Sequence, residues 1–476
     1  MSALASFGKT TLVLVGLWAV LAVIGLAMGV VPLPGHDAAA SAGATDGGVE
    51  TPEAGIDADA GPPSDAGEAV ADAGVEGTST PPSAPTPSGP MLPRARVCAE
   101  PSLPPSLALV DAVGDARPEI VVGCGPSWEL VGIGPSGALV RVAHVTAPEV
   151  SGERSALTSR AAGVDVDGDG DLDTVLPFAR VGAGGATSGG GLFVLARAAS
   201  GALEAPRSLA PIAAVAAAPI VLGSGPGMVA LDRENPFARA PSEAWMFSLG
   251  ASAGRVASPR VAVSATGLGV VDLDRDGHED VVAAASEDSR LDVLYGDAAS
   301  RFTRTRTLSI PSASEVVIGD LDGDGANDAL VVGVGLSMLL AHADAELAAT
   351  PIEDAPELRD AAIVNVDADP RAEIVGWSHP RLVVLDPQED GSYEPTTLFE
   401  LAGGEVGPRR HVIADVDGDG APEVVLLVVG DEAGTRMLDL VVVPSSERGL
   451  VRTATAAPLP DAPLSLTIAL PDPNAP

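Results

Sequence analysis

The most distinctive residues of the sequence are aspartates that alternate with other residues in short segments containing glycine. Four segments follow the pattern D-x-D-x-D-G-x-x-[DE], and they begin at Asp165, Asp272, Asp320 and Asp415. Carboxylates at positions 1, 3 and 5 of a tight loop converge on one point, and glycine at position 6 permits the sharp turn. Calcium takes about six to eight oxygen ligands, so this spacing predicts four calcium sites.

Each predicted site uses five positions of its loop. Side chains at positions 1, 3, 5 and 9 supply carboxylate oxygens, and position 7 supplies its backbone carbonyl. The predicted metal ligands are Asp165, Asp167, Asp169, Asp171, Asp173, Asp272, Asp274, Asp276, His278, Asp280, Asp320, Asp322, Asp324, Ala326, Asp328, Asp415, Asp417, Asp419, Ala421 and Glu423. Position 9 is also expected to be the first residue of the following strand.

Two other interpretations of these loops are available. An EF-hand shares the first six positions, but it requires a glutamate at position 12 and flanking helices. Position 12 is apolar in all four loops, as Leu176, Ala283, Val331 and Leu426, and the flanking segments are rich in β-forming residues. Plain acidic turns are the second interpretation, because Asp and Gly favour turns in any protein. Four repetitions of one pattern favour metal sites between strands.

Two further segments resemble the four loops but depart from the pattern. The segment that begins at Asn365 has Pro370 at position 6, where a φ near about −65° opposes the usual turn, so metal binding there is left open. The segment that begins at Asp111 has Val113 at position 3 and Ala116 at position 6. We expect this segment to bind no metal.

The loops recur about 50 residues apart, with one gap of about twice that length between Asp165 and Asp272. One interval contains four strand-like runs, at 267–273, 280–285, 290–295 and 302–310. The long gap predicts a unit without an acidic loop near residue 218, where 213–222 is interpreted as two apolar strands. Seven four-stranded units predict an all-β fold, a seven-bladed β-propeller, with a linear solenoid as the alternative.

These loops and the four-strand period resemble the FG-GAP/VCBS-like repeat, the unit of the seven-bladed propeller in integrin α-subunits. The resemblance covers residues from about 100 to about 460. It implies that each metal is held by the loop between the first two strands of a blade, and we apply this only to the four matching loops. The sequence departs from the family pattern because it contains no Phe-Gly-Gly-Ala-Pro string.

The N-terminal part predicts a membrane anchor. Leu12 to Val31 carries no charged residue and would form a helix of about 30 Å, enough to cross a bilayer. Lys9 precedes this segment, and the next Lys or Arg is Arg94, so the positive-inside rule places the rest of the chain outside. A cleaved signal peptide is the alternative, with a small-residue stretch at 38–42.

The sequence therefore divides into four predicted parts. Residues 1–9 form a cytoplasmic stub, and 10–33 form the transmembrane signal-anchor helix. Residues 34–93 are an acidic linker of Ala, Gly, Pro and Asp, and they are expected to be disordered because they bury little apolar surface. Residues 94–476 form the propeller. Cys98 and Cys124 are either buried free thiols or a disulfide, which an oxidising compartment favours.

Charge limits the partners of the chain. Sixty-five acidic and 27 basic residues give a formal net charge of −38, so the surface repels nucleic acid and attracts cations. The expected partners are an extracellular protein or polysaccharide, and the membrane through the N-terminal helix.

No enzyme motif stands out in the sequence. It lacks G-x-S-x-G, its histidines have no zinc spacing, and no catalytic carboxylate pair can be assigned, so we expect no enzyme. Trp128, Trp245 and Trp377 either stack on sugars or pack in the core. A surface binding or adhesion module is the favoured function, and a polysaccharide lyase or hydrolase with a calcium-stabilised propeller is the alternative. Arg and Tyr converging on a deep pocket would favour the lyase.

Overall fold

The structure of the protein is a computed structural model. It describes residues 91–92, 94–99, 105–147, 155–158, 160–181, 187–198, 201–232, 241–249, 254–257, 259–263, 265–343, 347–366, 371–401, 405–444, 449–453 and 456–470. The predicted stub and membrane helix, and the predicted linker up to residue 90, lie outside these ranges. Within them, no helix has the length and apolar character needed to cross a membrane.

The described residues form seven β-sheets, here called blades 1 to 7 in chain order. Blade 1 contains Ser106–Val110, Glu119–Gly123, Ser127–Ile133 and Leu139–Thr146. Blade 2 contains Ser155–Thr158 with Ala162–Val164, then Asp173–Val181, Thr187–Leu195 and Arg207–Ala210. Blade 3 contains Ala214–Leu222, Gly225–Asp232, Pro241–Ser248, and Gly254–Ala257 with Arg260–Val263. Blade 4 contains Gly267–Val271, Asp280–Ala285, Arg290–Tyr295 and Arg304–Ser309, with a short 3-10 helix at Ser286–Asp288.

The remaining three blades follow the same order of strands from the centre outward. Blade 5 contains Glu315–Gly319, Asp328–Val332, Leu336–Leu339 and Thr350–Pro351. Blade 6 contains Ala361–Val364, Glu373–Ser378, Arg381–Pro387 and Tyr393–Leu401. Blade 7 contains Glu405–Ala414, Glu423–Glu432 and Thr435–Pro444, and its fourth strand is Arg94–Ala99 from the start of the domain.

The first strand of each blade lies innermost and contacts the first strand of the next blade. The series closes on itself, because Glu405–Ala414 of blade 7 contacts Ser106–Val110 of blade 1. The predicted seven-bladed propeller is therefore confirmed, and the linear solenoid is excluded. The four strands predicted for blade 4 are also confirmed, with the first strand ending at Val271 and the fourth beginning at Arg304.

Blade 3 is the predicted unit without an acidic loop, but its strands differ from the prediction. The interpretation of 213–222 as two strands was wrong, since Ala214–Leu222 is one strand. It pairs with Gly225–Asp232 through a tight turn, and the register runs without interruption from Ala216 to Leu222. The strand continues because no acidic loop interrupts it.

The burial of blade 4 shows how the sequence selects each strand's place. The innermost strand Gly267–Val271 alternates between buried and half-buried residues. Its two faces pack against different neighbours, since Leu268 and Val270 contact the cluster shared with blade 3 and Val271 lies in the cluster shared with blade 5. The second strand Asp280–Ala285 is buried throughout, as expected for a strand covered on both faces. The fourth strand, Arg304–Ser309, is mostly exposed and carries polar residues.

Seven apolar clusters hold the blades together. Each cluster combines residues of two neighbouring blades, so one cluster fills each seam of the ring. Val, Ala and Leu dominate these clusters. Because few aromatic side chains are available to fill the seams, neighbouring blades approach each other closely. At Gly269, for example, an added Cβ would lie 2.6 Å from Cγ1 of Val316 in the next blade. The packing therefore depends on small residues at the seams.

The ring closes through the N-terminal strand. Arg94–Ala99 pairs antiparallel with Thr435–Pro444 of blade 7. Arg94 Nε also donates to Oδ2 of the buried Asp439 at 2.7 Å. Strands from both ends of the domain thus share one sheet, which prevents the first and last blades from separating.

The two cysteines form a disulfide, with 6.2 Å between their Cα atoms. Cys98 lies on the fourth strand of blade 7, and Cys124 follows the second strand of blade 1. The predicted bond is confirmed, and it crosses the seam between the last blade and the first. Closing a loop of this size stabilises a fold by about 3 to 4 kcal/mol in the chain-entropy account.

The C-terminal segment adds parallel strands to the outer edges of three consecutive blades. Gly449–Thr453 pairs with blade 6, Ala457–Pro458 with blade 7, and Asp461–Ala469 with blade 1. Met91–Leu92 pairs in turn with Gly449–Thr453. This segment covers the edges on both sides of the closure and leaves fewer unpaired strand edges there.

Candidate metal centres

The acidic loops lie where the sequence predicts them. In blades 2, 4, 5 and 7, each loop joins the innermost strand to the second strand. Position 9 begins the second strand in every case, as Asp173, Asp280, Asp328 and Glu423. Because all innermost strands run in the same direction, the four loops lie on one face of the ring.

Each loop brings three carboxylates together, with their oxygen atoms within 4.8 Å of one another. In three loops the group consists of positions 1, 3 and 9, and in the blade 4 loop it consists of positions 1, 3 and 5. The groups are Asp165, Asp167 and Asp173; Asp272, Asp274 and Asp276; Asp320, Asp322 and Asp328; and Asp415, Asp417 and Glu423. Positions 1 and 3 are thus shared by all four.

Some predicted ligands lie outside these groups. The position 5 carboxylates Asp169, Asp324 and Asp419 are not among the grouped residues, and neither is Asp280 at position 9 of the blade 4 loop. Position 7 was predicted to act through its carbonyl; its residues are Asp171, His278, Ala326 and Ala421. Their backbone N–H groups donate to the position 5 carboxylates, at 2.8 to 3.0 Å.

The backbone of each loop folds around the first aspartate. In the blade 2 loop, the N–H groups of Gly168 and Gly170 donate to the two oxygens of Asp165, at 2.6 and 3.0 Å. These glycines have φ values of +83° and +91°, which are unfavourable for other residues. The position 1 side chain therefore fixes the turn that gathers the remaining carboxylates.

Position 9 has a second role that the sequence did not reveal. Its carboxylate accepts a hydrogen bond from the backbone N–H of position 2 in all six loops. Glu119 and Glu373 do this in the two loops that depart from the metal pattern. The sequence offered one signal for this role, because position 9 is acidic even in the two loops that lack the rest of the metal pattern. Position 9 thus anchors the loop to the second strand, and in blades 2, 5 and 7 it also belongs to the carboxylate group.

The loop electrostatics favour a cation. Burial raises the pKa of Asp280 to about 7, and nearby Asp272 and Asp276 add to the rise. Burial and neighbouring carboxylates also raise the pKa of Asp173, Asp328 and Glu423. In each case the negative form is disfavoured by lost hydration and by like charge, and a bound cation would relieve both effects.

The donor atoms fit calcium. All grouped side chains offer carboxylate oxygens, the ligands of hard cations, whereas zinc sites use mainly His and Cys. One oxygen, Asp274 Oδ1, is buried and lacks a hydrogen-bond partner, as expected for an atom that faces a cation. Calcium bound here would supply positive charge that holds the loop carboxylates together.

The two departing loops have different surroundings. In blade 1, Arg117 at position 7 pairs with Asp115, and the guanidinium of Arg197 lies where a Cβ at Gly114 would stand. Two arginines therefore offset the negative charge of the acidic residues in that loop. In blade 6, residues 367–370 lie outside the described ranges, so metal binding at this loop stays an open prediction.

Residues 272–331 match the model of a family described as "FG-GAP-like repeat". This segment contains the loops of blades 4 and 5, so the resemblance inferred from the loops is confirmed there, within a seven-bladed propeller. No curated protein matches the sequence.

Several solved structures resemble the fold. The "Structure of Dos1 propeller" is 10% identical, with a TM-score of 0.42, and the match covers 70% of this chain and 78% of that one. BBS1N in complex with ARL6DN, soaked with mercury, is 8% identical, with a TM-score of 0.46 and coverage of 75% and 96%. The same complex soaked with lead is 9% identical, with a TM-score of 0.44 and coverage of 75% and 97%.

Proposed function

We propose that the protein is a membrane-tethered, extracytoplasmic, calcium-binding β-propeller that acts as a surface binding or adhesion module. The observation that carries this proposal is the repeated carboxylate group on one face, found in blades 2, 4, 5 and 7. The partner is a protein or a polysaccharide held by the loops of the ring. Calcium fixes those loops, so that the binding surface is preorganised.

The calcium sites are tested by binding stoichiometry. Titration calorimetry of the full-length chain should give four calcium ions per chain in the groups described above. The changes Asp167→Ala, Asp274→Ala, Asp322→Ala and Asp417→Ala should each remove about one ion, because position 3 belongs to every group. Asp390→Ala, at an exposed turn outside the loops, is the matched control and should leave four ions bound. Heats equal to those of dilution would contradict the proposal.

The loop face of blade 4 offers little room for a substrate. Arg304 stacks on Tyr295 at 3.8 Å beside a cavity of about 170 Å³, which Asp274 and His342 also line. Binding pockets for small molecules are usually about 300 Å³ or larger. A cavity of about 470 Å³ lies on blade 6, where His379 and Arg381 line it. Arg304 is moreover paired with Asp274, which neutralises its charge.

The tryptophans support a protein partner more than a polysaccharide. Trp128 and Trp377 are completely buried, so they pack in the core as one interpretation expected. Trp245 is half-buried, and the guanidinium of Arg255 covers its ring at 4.4 Å. A sugar-stacking platform needs an open aromatic face.

Capture of surface partners should depend on calcium. Propeller immobilised in about 1 mM calcium, the range in which extracellular calcium modules are loaded, is expected to retain its partner. Addition of a chelator should release that partner, because the loops lose their fixed arrangement. A variant carrying all four position 3 changes is the control and should capture nothing in calcium. Equal capture by this variant would show that the loops are not the binding surface.

The membrane tether is tested by its accessibility. Protease added outside intact cells should cut within the predicted linker and release the propeller, because the charge asymmetry around Leu12–Val31 places the linker outside. The disulfide across the ring closure fits this compartment. Protection of the linker in intact cells, with cleavage after lysis, would overturn the predicted topology.

A further inference from the structure

One loop differs from the other three at position 4. Gly168, Gly323 and Gly418 occupy this position in blades 2, 5 and 7, with φ values of +83°, +77° and +82°. Blade 4 has Arg275 here, with φ of +54°. A side chain in this conformation is unfavourable, and it persists where its surroundings hold it. The loop of blade 4 thus retains an arginine where glycine would fit better.

The side chain of Arg275 reaches the neighbouring loop. Its Nη2 pairs with Oδ2 of Asp324, at position 5 of the blade 5 loop. Both side chains are about one-third exposed, at 31% and 33%. Asp324 is a predicted calcium ligand, so an arginine that extends from one metal loop holds a ligand of the next.

A second arginine pairs with the loop of blade 4 from within the same blade. Arg304, on the outer strand of blade 4, pairs with Oδ2 of Asp274 while its guanidinium stacks on Tyr295. The loop of blade 7 is different: in the part of the chain that the structure describes, no arginine forms an ion pair with Asp415, Asp417 or Glu423. Arginines lie beside other loops as well, since Arg197 pairs with Asp171 in blade 2. Arg275 differs from them because it is itself a residue of one metal loop and pairs with a predicted ligand of the next.

We propose that Arg275 makes calcium binding by the loops of blades 4 and 5 mutually antagonistic, an inference that rests on the proposed calcium sites. Without calcium, Asp324 balances the charge of Arg275. Calcium in the blade 5 loop recruits Asp324 as a ligand and leaves Arg275, a residue of the blade 4 loop, without that partner. The uncompensated charge then opposes a second dication there. Linkage requires the effect to be reciprocal.

The expected size of this coupling follows from Coulomb's law. A single positive charge about 6 Å from a divalent ion in a water-like dielectric weakens binding by about tenfold. Calcium should therefore occupy one of the two loops first and the other at roughly tenfold higher concentration. The protein would respond to calcium over a wider range than four equal sites allow.

The experiment uses the full-length chain carrying Asp167→Ala and Asp417→Ala, which leaves only the sites of blades 4 and 5. Calcium titration calorimetry of this chain should show two separated binding steps. Adding Arg275→Gly, which restores the residue of the other loops, should tighten the weaker step about tenfold and bring the two steps together. Arg275→Asn tolerates the same backbone conformation and should give the same result.

A matched control removes an arginine of the same blade away from the metal loop. Arg301 pairs with Asp297 at 2.9 Å, and Arg301→Gln should leave both steps unchanged. If the chain binds two ions and Arg275→Gly leaves the steps as they were, the coupling is wrong and the calcium sites stand. If the unaltered chain binds no calcium, the proposed function and the coupling both fail.

Discussion

Removal of calcium should lower the melting temperature of the protein by several degrees. Each loop holds three carboxylates with oxygens within 4.8 Å of one another. At an effective dielectric near 20, two like charges at about 4 Å repel by about 4 kcal/mol. Without a cation, the loops should open and the adjoining strand ends should fray.

The size of the effect follows from the affinity of extracellular calcium modules, about 10⁻⁴ to 10⁻³ M. At about 1 mM calcium, each site then stabilises the folded state by about 0.4 to 1.4 kcal/mol, and four independent sites by about 2 to 6 kcal/mol. For a domain of this size that corresponds to several degrees in melting temperature.

Thermal unfolding of the full-length chain is measured in calcium and in a chelator. Magnesium at the same ionic strength is the control, because it screens charge equally but demands a more rigid octahedral site. The chain with all four position 3 changes should melt at one temperature in both solutions. Superimposed curves for the unaltered chain, together with no bound calcium, would mean that the loops are only turns.

The sequence contains most of the information about the loops because their chemistry is local. Positions 1 to 9 lie on one short stretch, so the convergence of Asp165 and Asp167 follows from spacing alone. The number of blades follows from the recurrence of the loops, including the interval in which blade 3 lacks one. The four-strand unit follows from the alternation of β-forming runs and turns.

Features that join distant parts of the chain had no such signal. The place of Arg94–Ala99 in blade 7 and the parallel pairing of Asp461–Ala469 with blade 1 depend on how the ring closes. Parallel edge pairs are short here and need no distinctive residues. The disulfide was expected, but the sequence did not show that it crosses the seam between blades 7 and 1. That location depends on Cys98 lying on a strand of the last blade.

The ion pairs between loops were also invisible in the sequence. Arg275 occupies a position that the metal-loop pattern leaves unspecified, and nothing local indicates that it meets Asp324, 49 residues away. The same holds for the buried charges near the centre of the ring. Asp360 precedes the innermost strand of blade 6, His411 lies on that of blade 7, and no motif connects them.

These two residues form a buried pair between adjacent blades. His411 Nδ1 lies 2.9 Å from Oδ2 of Asp360, and both side chains are buried. Glu315 of blade 5 and Arg160 of blade 2 lie in the same electrostatic environment, and they pair with each other at 3.3 Å. Charged residues on or beside the innermost strands of blades 2, 5, 6 and 7 therefore interact electrostatically near the centre of the ring.

The surroundings shift both pKa values toward the charged forms. Burial opposes the charge of Asp360, but His411 and Arg160 outweigh it and lower its pKa to about 2. Burial likewise opposes the charge of His411, but the carboxylates of Asp360 and Glu315 outweigh it and raise its pKa. The surroundings therefore favour protonated His411 beside ionised Asp360.

The pH dependence follows from these directions. A raised histidine pKa stabilises the fold fully below its unfolded value of about 6.5, and this contribution is lost as the pH rises through the folded pKa. A lowered aspartate pKa stabilises the fold above about 3.8, and this contribution is lost as the pH falls through about 2. The pair should contribute most between about pH 4 and 6.5 and progressively less at alkaline pH.

Replacing one partner should be strongly destabilising. His411→Gln leaves the carboxylate of Asp360 buried without its counter-charge, which costs about 3 to 5 kcal/mol. This variant should also lose the decline in stability that the unaltered protein shows as the pH rises above 6.5, because the titrating group is gone. The free energy of unfolding is measured by denaturant titration at several pH values in saturating calcium.

The double variant Asp360→Asn/His411→Gln separates the pair from the rest of the protein. It removes both charges and should be less destabilised than the sum of the single changes by at least about 1 kcal/mol. Burial raises the pKa of Glu119 and of Asp280 to about 7, so both groups also make the free energy of unfolding depend on pH. Comparing each variant with the unaltered chain at the same pH cancels their contributions. Additive single changes, with the alkaline decline intact in His411→Gln, would show that these side chains fill space without acting as an ion pair.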